Sequence, residues 1–281
     1  MDGLSNGGGA MKRRVMLHMH QLRDFIDDRY SFHQKYFNNI EPRFYQYKGV
    51  QKAFQVGSAV DFAIKQYYLN INAGDDKEKD LFSSREFQTL NSKIDQTLVI
   101  GLIGAYIDKY RDEYFHDYKI INFKVPIANR RMKQEYVIYC SPDLVASNFV
   151  DNELFIIEIK TSADDPKKYS AETLDFQTMC YCWASWRWNF KIPAGVLKRT
   201  LMKPKIKQKK DETVSEFQKR LIFDISDNPD KYFKTGYRPM NKEMVENFEK
   251  YLIEILVELD GCLMKKNEHK YYKQSNDYWG L

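Results

Sequence analysis

The chain holds only four cysteines, Cys140, Cys180, Cys182 and Cys262, and their spacing forms no disulfide framework. Cys180 and Cys182 have a single residue, Tyr181, between them, too tight for the paired knuckle of a structural zinc site. A secreted disulfide scaffold is therefore excluded, and a reducing, cytoplasmic setting is expected. Long apolar runs are also missing. The longest, Leu98 to Ile107, reaches about half of a membrane span, so no membrane partner is expected. No basic segment followed by an apolar core opens the chain, which speaks against a secretory signal. No Pro/Gly-rich linker divides the sequence and no internal repeat is visible. The five histidines (His18, His20, His33, His116 and His269) show no metal-ligand spacing, and none is needed as a ligand. A large charge of one sign is absent too. The net charge of +5 does not by itself mark a nucleic-acid binder.

What is present is a core. The hydrophobic fraction of 43% and aromatic fraction of 15% exclude intrinsic disorder. Charge is unevenly placed: residues 101–190 are net acidic, whereas 191–281 are net basic. Residues 1–15 read as a flexible leader and 16–281 as one domain, with a core over about 50–202. A C-terminal basic stretch and packing helix follow over 203–281.

Hydrophobic periodicity predicts helices over residues 16–38, 52–69 and 85–113. The pattern then changes to short runs rich in Ile, Val, Phe and Tyr over 119–128, 135–145 and 153–161, read as three successive strands of a meander. A helix dense in aromatics is expected over 171–188, and its Trp183, Trp186 and Trp188 are expected to pack. A fourth strand is expected over 194–202, a further strand over 216–225 and a flanking helix over 242–263. Helices, a strand cluster, a helix and another strand make a mixed α/β (α+β) domain.

The second strand ends in Ser141-Pro142-Asp143 and the third in Glu158-Ile159-Lys160. Alternation puts Glu158 and Lys160 on one face of a strand whose preceding residues are nearly all apolar. Charges at such a place must be paired, hydrated or metal-bound. If the two strands pair, Asp143 approaches Glu158, and a hard divalent cation relieves the repulsion between the carboxylates. Carboxylates holding Mg²⁺ beside a lysine suit phosphate chemistry.

Pro142-Asp143 followed by Glu158-Ile159-Lys160 resembles the signature of the PD-(D/E)xK nuclease superfamily. Gln177 and Tyr181, four residues apart on one helix face, match the Gln-x-x-x-Tyr motif of its RecB-like, phage-type exonuclease branch. Gly57 and Asp61 look like that branch's first helical motif. The resemblance covers roughly residues 16–202. It implies a restriction-endonuclease-like core, a central mixed sheet flanked by helices, with extra N- and C-terminal helices. It also implies Mg²⁺- or Mn²⁺-dependent hydrolysis of DNA phosphodiesters. Carried over by position, Asp143 and Glu158 become metal ligands with the Ile159 carbonyl, and Lys160 the catalytic lysine. Gln177 and Tyr181 would hold Lys160 and contact the DNA backbone. Asp61 stands where many relatives have His and is a further ligand candidate. Some relatives hold an iron–sulfur cluster through one cysteine before the core and three near the C-terminus. The cysteines here depart from that arrangement, so no cluster is expected.

Two basic groups are candidates for DNA contact: Lys198, Arg199, Lys203, Lys205, Lys207, Lys209 and Lys210 beyond the fourth strand, and Arg130, Arg131 and Lys133 in a turn. The resulting expectation is an exonuclease acting on single- or double-stranded DNA ends in recombination, repair or phage replication. An endonuclease, a non-cleaving nucleic-acid-binding protein and an RNA-directed nuclease remain open. A homo-oligomer or a recombination partner protein is compatible with that role, and no residue pattern reports either.

Overall fold

The computed structural model describes residues 14–36, 48–73, 81–90, 92–113, 115–163 and 174–264. Two sheets carry the architecture. In the smaller one, β1 (Arg14–His18) pairs parallel with β4 (Glu135–Cys140), which pairs antiparallel with β3 (Phe123–Ile127). The larger sheet has the order β2 (Phe115–Lys119), β5 (Leu144–Asn148), β6 (Leu154–Ser162), β7 (Gly195–Met202) and β8 (Phe233–Pro239). Its β6–β7 pair is parallel and its other pairs are antiparallel. The expected mixed sheet flanked by helices is thus present.

Helices α1 (Met19–Asp27), α2 (Arg29–Tyr36), α3 (Lys48–Asn72), α4 (Arg85–Gln88), α5 (Lys93–Tyr110), α6 (Phe176–Asn189), α7 (Val214–Asp227), α8 (Pro229–Tyr232) and α9 (Lys242–Met264) complete the elements of the described residues. Alternation along β6 assigns its faces. Ile156 packs in a core with the smaller sheet, α1, α6 and α9, whereas Ile157 and Ile159 pack in a second core with α3, α5 and α7. With apolar helices on both faces, β6 lies centrally, as its continuous apolar run requires. Cys140, Cys180 and Cys182 are buried as free thiols in the first core, and Cys262 is half-buried. Trp183 is fully buried in the same core, Trp186 packs against it, and Trp188 is half exposed.

Several expectations are corrected. The three runs do not form one meander, because the second breaks at Ser141-Pro142-Asp143. Its first half, β4, joins the smaller sheet, and its second half, β5, enters the larger one. Proline lacks the N–H a ladder needs, which suits it to the break. The segment 216–225 lies in α7, not in a strand. Phe217, Leu221 and Ile225 are buried at four-residue intervals, and Thr213 with Glu216 forms a capping box. The first expected helix opens with β1, so Arg14 and Val15 belong to the domain rather than to a leader. The third expected helix is divided into α4 and α5, and Ser92 Oγ caps α5 by accepting from the Ile94 amide. Strands β2 and β8 were not anticipated. At the β7–β8 contact, a Cβ added to Gly195 would run into the Tyr237 ring, so glycine lets that ring lie close over β7. Residues 1–13, 37–47, 74–80, 91, 114, 164–173 and 265–281 lie outside the described residues, as do the ends of several predicted elements.

Candidate active site

The β5–β6 register pairs Leu144 with Ile157, which sets Asp143 opposite Glu158 one step beyond. Asp143 Oδ2 accepts a 2.7 Å hydrogen bond from the Ile159 amide, tying the break before β5 to the strand that carries Glu158. Glu158 projects toward α6. It is only 1% exposed, and its Oε2 accepts a 2.9 Å hydrogen bond from Thr178 Oγ1. Lys160, two residues on and on the same face, places its Nζ 2.9 Å from Glu158 Oε1. That contact is an ion pair without hydrogen-bond alignment, so Oε1 has no aligned donor despite its burial.

Asp143 also faces a cation. Lys65 Nζ lies 3.3 Å from Asp143 Oδ1 and 2.8 Å from Asp61 Oδ2, and so bridges the two aspartates. Burial, then the charge of Asp61, holds the Asp143 carboxyl above its usual range, against the opposing pull of Lys65 and the Ile159 N–H. For Lys160, burial favours the neutral amine, yet Glu158 and Asp143 outweigh it and the pKa is raised. Lys160 is therefore an ammonium at neutral pH in this arrangement.

The first turn of α6 frames the other side. Asp175 caps the helix by accepting from the Thr178 amide at 2.8 Å, and its other oxygen takes Lys198 Nζ at 3.1 Å. Gln177 Nε2 donates to the Tyr181 hydroxyl at 2.7 Å, one turn along. The pair is joined to itself, while the ion-pair partner of Lys160 is Glu158. Burial pushes the Tyr181 phenol upward, so it stays protonated and can donate.

Asp61, Asp143, Glu158, Ile159, Lys160, Gln177 and Tyr181 are thus gathered around the C-terminal edge of β6. The basic candidates divide. Lys205, Lys207 and Lys209 are exposed, and Lys203 is half-buried with its amide bonded to the Ser162 carbonyl. Because β7 is parallel to β6, this run departs from the same edge as Glu158 and Lys160. Arg199 does not belong with it. Its side chain is fully buried and donates to the hydroxyls of Tyr68 and Tyr106 and to Glu113, so no part of it is exposed to a phosphate. Lys198 is also buried, and it faces Asp175 instead of solvent. Arg130 and Arg131 are exposed in the β3–β4 turn at the other end of β4, roughly 20 Å of strand from the end that leads to Asp143. Arg131 pairs there with Glu254.

Three contributors were not foreseen from the sequence: Lys65, Thr178 and Asp175. A signal existed for Lys65, which lies one helical turn after Asp61 and hence on its face. Thr178 and Asp175 flank Gln177, but only the packing of α6 on β6 reveals that they serve Glu158 and Lys198.

Among the described residues no three His, Cys, Asp or Glu side chains cluster as a ready metal cage. The donor set is smaller: two carboxylates and a backbone carbonyl, with a buried Glu158 oxygen lacking an aligned donor. Such all-oxygen donors fit a hard divalent cation that keeps waters in its shell. Asp143, Glu158 and the Ile159 carbonyl would hold it, with Asp61 adjoining through Lys65.

No curated protein matches the chain. A solved structure described as "Crystal structure of SSO0001" is similar over 84% of each chain at 10% identity, with a TM-score of 0.29, too low to carry an argument. No helix of the described residues is long and apolar enough to cross a membrane. The family model for the PD-(D/E)XK nuclease superfamily matches residues 19–269, which include every residue gathered at the edge of β6, and the chain belongs to that superfamily.

Proposed function

We propose that the protein is a Mg²⁺- or Mn²⁺-dependent deoxyribonuclease that degrades DNA from its ends. The observation that carries this reading is the convergence of Asp143, Glu158 and Lys160 at one strand edge, with a buried Glu158 oxygen left without an aligned donor. Membership of the superfamily supports hydrolysis of nucleic acid. The exonuclease assignment rests on the likeness of Gln177, Tyr181 and Asp61 to the RecB-like motifs.

When bound, the cation supplies positive charge at phosphate oxygens and the acidity that makes water a nucleophile. The chain's own groups do the rest. The Ile159 N–H and Thr178 Oγ1 each fix one carboxylate oxygen, so the ligands are oriented before metal arrives. Lys160, charged and beside Glu158, is placed to donate to a phosphate oxygen or to the attacking water as charge develops. Gln177 and Tyr181 offer donors to the adjacent backbone. Lys205, Lys207 and Lys209 extend the positive path, giving affinity that falls with salt and is indifferent to sequence.

The test uses purified protein with end-labelled linear DNA, closed circular DNA and RNA, in Mg²⁺, Mn²⁺ or EDTA. Metal-dependent loss of linear DNA with intact circles is expected. Cutting of circles would replace the exonuclease with an endonuclease, selective cutting of RNA would change the substrate, and binding without cutting would make it a non-cleaving binder.

A further inference from the structure

The site above leaves one ordered surface unused, the outer face of the three-stranded sheet. Strand alternation sends Phe123, Ile138 and Leu17 inward to the core and their neighbours outward. The registers then align Lys124 of β3, Tyr139 of β4 and His18 of β1 on a single rung. These side chains touch in sequence. Lys124 Nζ lies 5.2 Å from the Tyr139 ring centroid, and the Tyr139 and His18 rings are 5.1 Å apart at 33°. His20 continues the row, stacked on His18 at 5.4 Å and 26°. The next rung, Pro126, Val137 and Met16, is uncharged. On the third, Glu135 is the only carboxylate on this face among the described strand residues, and Arg14 neutralises it.

The row thus presents three rings ended by an ammonium, with Lys124, His18 and His20 exposed and Tyr139 half-buried. Its position ties it to the site. From Tyr139 the chain leaves β4 after Cys140 and reaches Asp143 four residues on, a span of at most about 14 Å. Bases of a single strand expose π faces that a duplex keeps stacked, and sheets bearing aromatic rungs are a general way to hold them. A duplex would meet such a flat face only with its phosphates and leave the rings idle.

We propose that this face binds single-stranded nucleic acid, with bases stacked on Tyr139 and the His18–His20 pair, a phosphate paired to Lys124, and the strand leading toward Asp143. The assignment rests on the nuclease reading of the site and narrows its substrate to a strand that is unpaired where it crosses the rung.

The experiment takes the full chain carrying Lys160→Ala, to suppress cutting, and measures fluorescence anisotropy with labelled oligothymidine of about 12 nucleotides and with a hairpin duplex. Tyr139→Leu keeps apolar bulk on the sheet but removes the ring. It is expected to weaken oligothymidine binding about tenfold while the hairpin changes little, and Tyr139→Phe is expected to retain affinity. Lys124→Ala should reduce the salt slope for oligothymidine by about 0.7, the loss of one phosphate contact. Phe223→Ala, an exposed ring on α7, serves as the control for losing any surface aromatic. Oligothymidine affinity within about twofold of the parent for Tyr139→Leu, or an equal loss for the hairpin, overturns the proposal. Failure of the nuclease reading would show separately, as absence of metal-dependent cutting by the unsubstituted protein.

Discussion

Thr178 Oγ1 donates a 2.9 Å hydrogen bond to Glu158 Oε2, so the first turn of α6 immobilises one oxygen of a buried carboxylate and leaves the other facing Lys160. Outer hydrogen bonds of this kind commonly change metal affinity about 10–100-fold when removed. Thr178→Val, which keeps shape and loses the hydroxyl, is expected to weaken Mn²⁺ binding within that range. Thr178→Ser should restore most of it. Electron paramagnetic resonance of free Mn²⁺ reads the affinity without relying on activity.

Lys65 sits where a cation would neutralise Asp61 and Asp143 together. Its ammonium must give way, at least in part, when a divalent ion approaches Asp143. Lys65→Met is therefore expected to tighten Mn²⁺ binding about tenfold, worth ~1.4 kcal/mol. It should also lower the unfolding midpoint of the protein in EDTA, because the aspartates then repel each other unrelieved. Unchanged Mn²⁺ affinity would show that Lys65 does not compete with metal.

The pH dependence follows from Asp143. Burial, then Asp61, raises its pKa in the folded chain above the ordinary 3.8. A carboxyl raised on folding holds its proton more tightly folded than unfolded. Its stabilising contribution is fully present below the unfolded value and is lost as pH rises through the folded value. In EDTA, wild-type stability relative to Asp143→Asn is expected to be highest at the acid end and to fall as pH rises above that ordinary value. Urea unfolding at about pH 4–7 measures the difference. A difference that grows with pH would reverse the sign.

Arg199 anchors β7 to α3 and α5. Its guanidinium reaches the hydroxyls of Tyr68 and Tyr106 and the Glu113 carboxylate, and lies 4.4 Å from the Tyr110 ring centroid. Removing one partner of a buried charge cluster strands the rest. Arg199→Met is expected to destabilise the fold by about 3–5 kcal/mol, read by denaturant unfolding. DNA affinity measured well below the new midpoint should be unchanged. A loss of affinity without a loss of stability would return Arg199 to the binding surface.

The contrast between Arg199 and Lys160 shows how far sequence reading reaches here. Glu158 and Lys160 were legible because strand alternation is local and the apolar run before them marks a central strand. The pairing of Asp143 with Glu158 needed only one assumption about which strands are neighbours, and the register bears it out. Arg199 looked like part of a basic run because charge spacing along a chain does not say which residues face inward. On β7 its side chain is covered by α3 and α5, which come from far earlier in the sequence. The same lack of long-range information hid the division of β4 from β5 between two sheets. It also hid the hydroxyl of Thr178, which matters only because α6 lies on β6. Misreading 216–225 as a strand was a local error, since Phe217, Leu221 and Ile225 already carried helical spacing.

The central claim, that Asp143, Glu158 and Lys160 form the hydrolytic site, meets its most direct test in single-turnover cleavage of end-labelled linear DNA with Mg²⁺ by wild type and Lys160→Ala. DNA affinity in Ca²⁺ is measured alongside. Loss of the lysine is expected to slow cleavage by about 10²–10⁴-fold, the range for a donor acting on developing charge or on proton transfer, with affinity changed little. Wild-type cleavage that persists at an undiminished rate in Lys160→Ala would contradict the account.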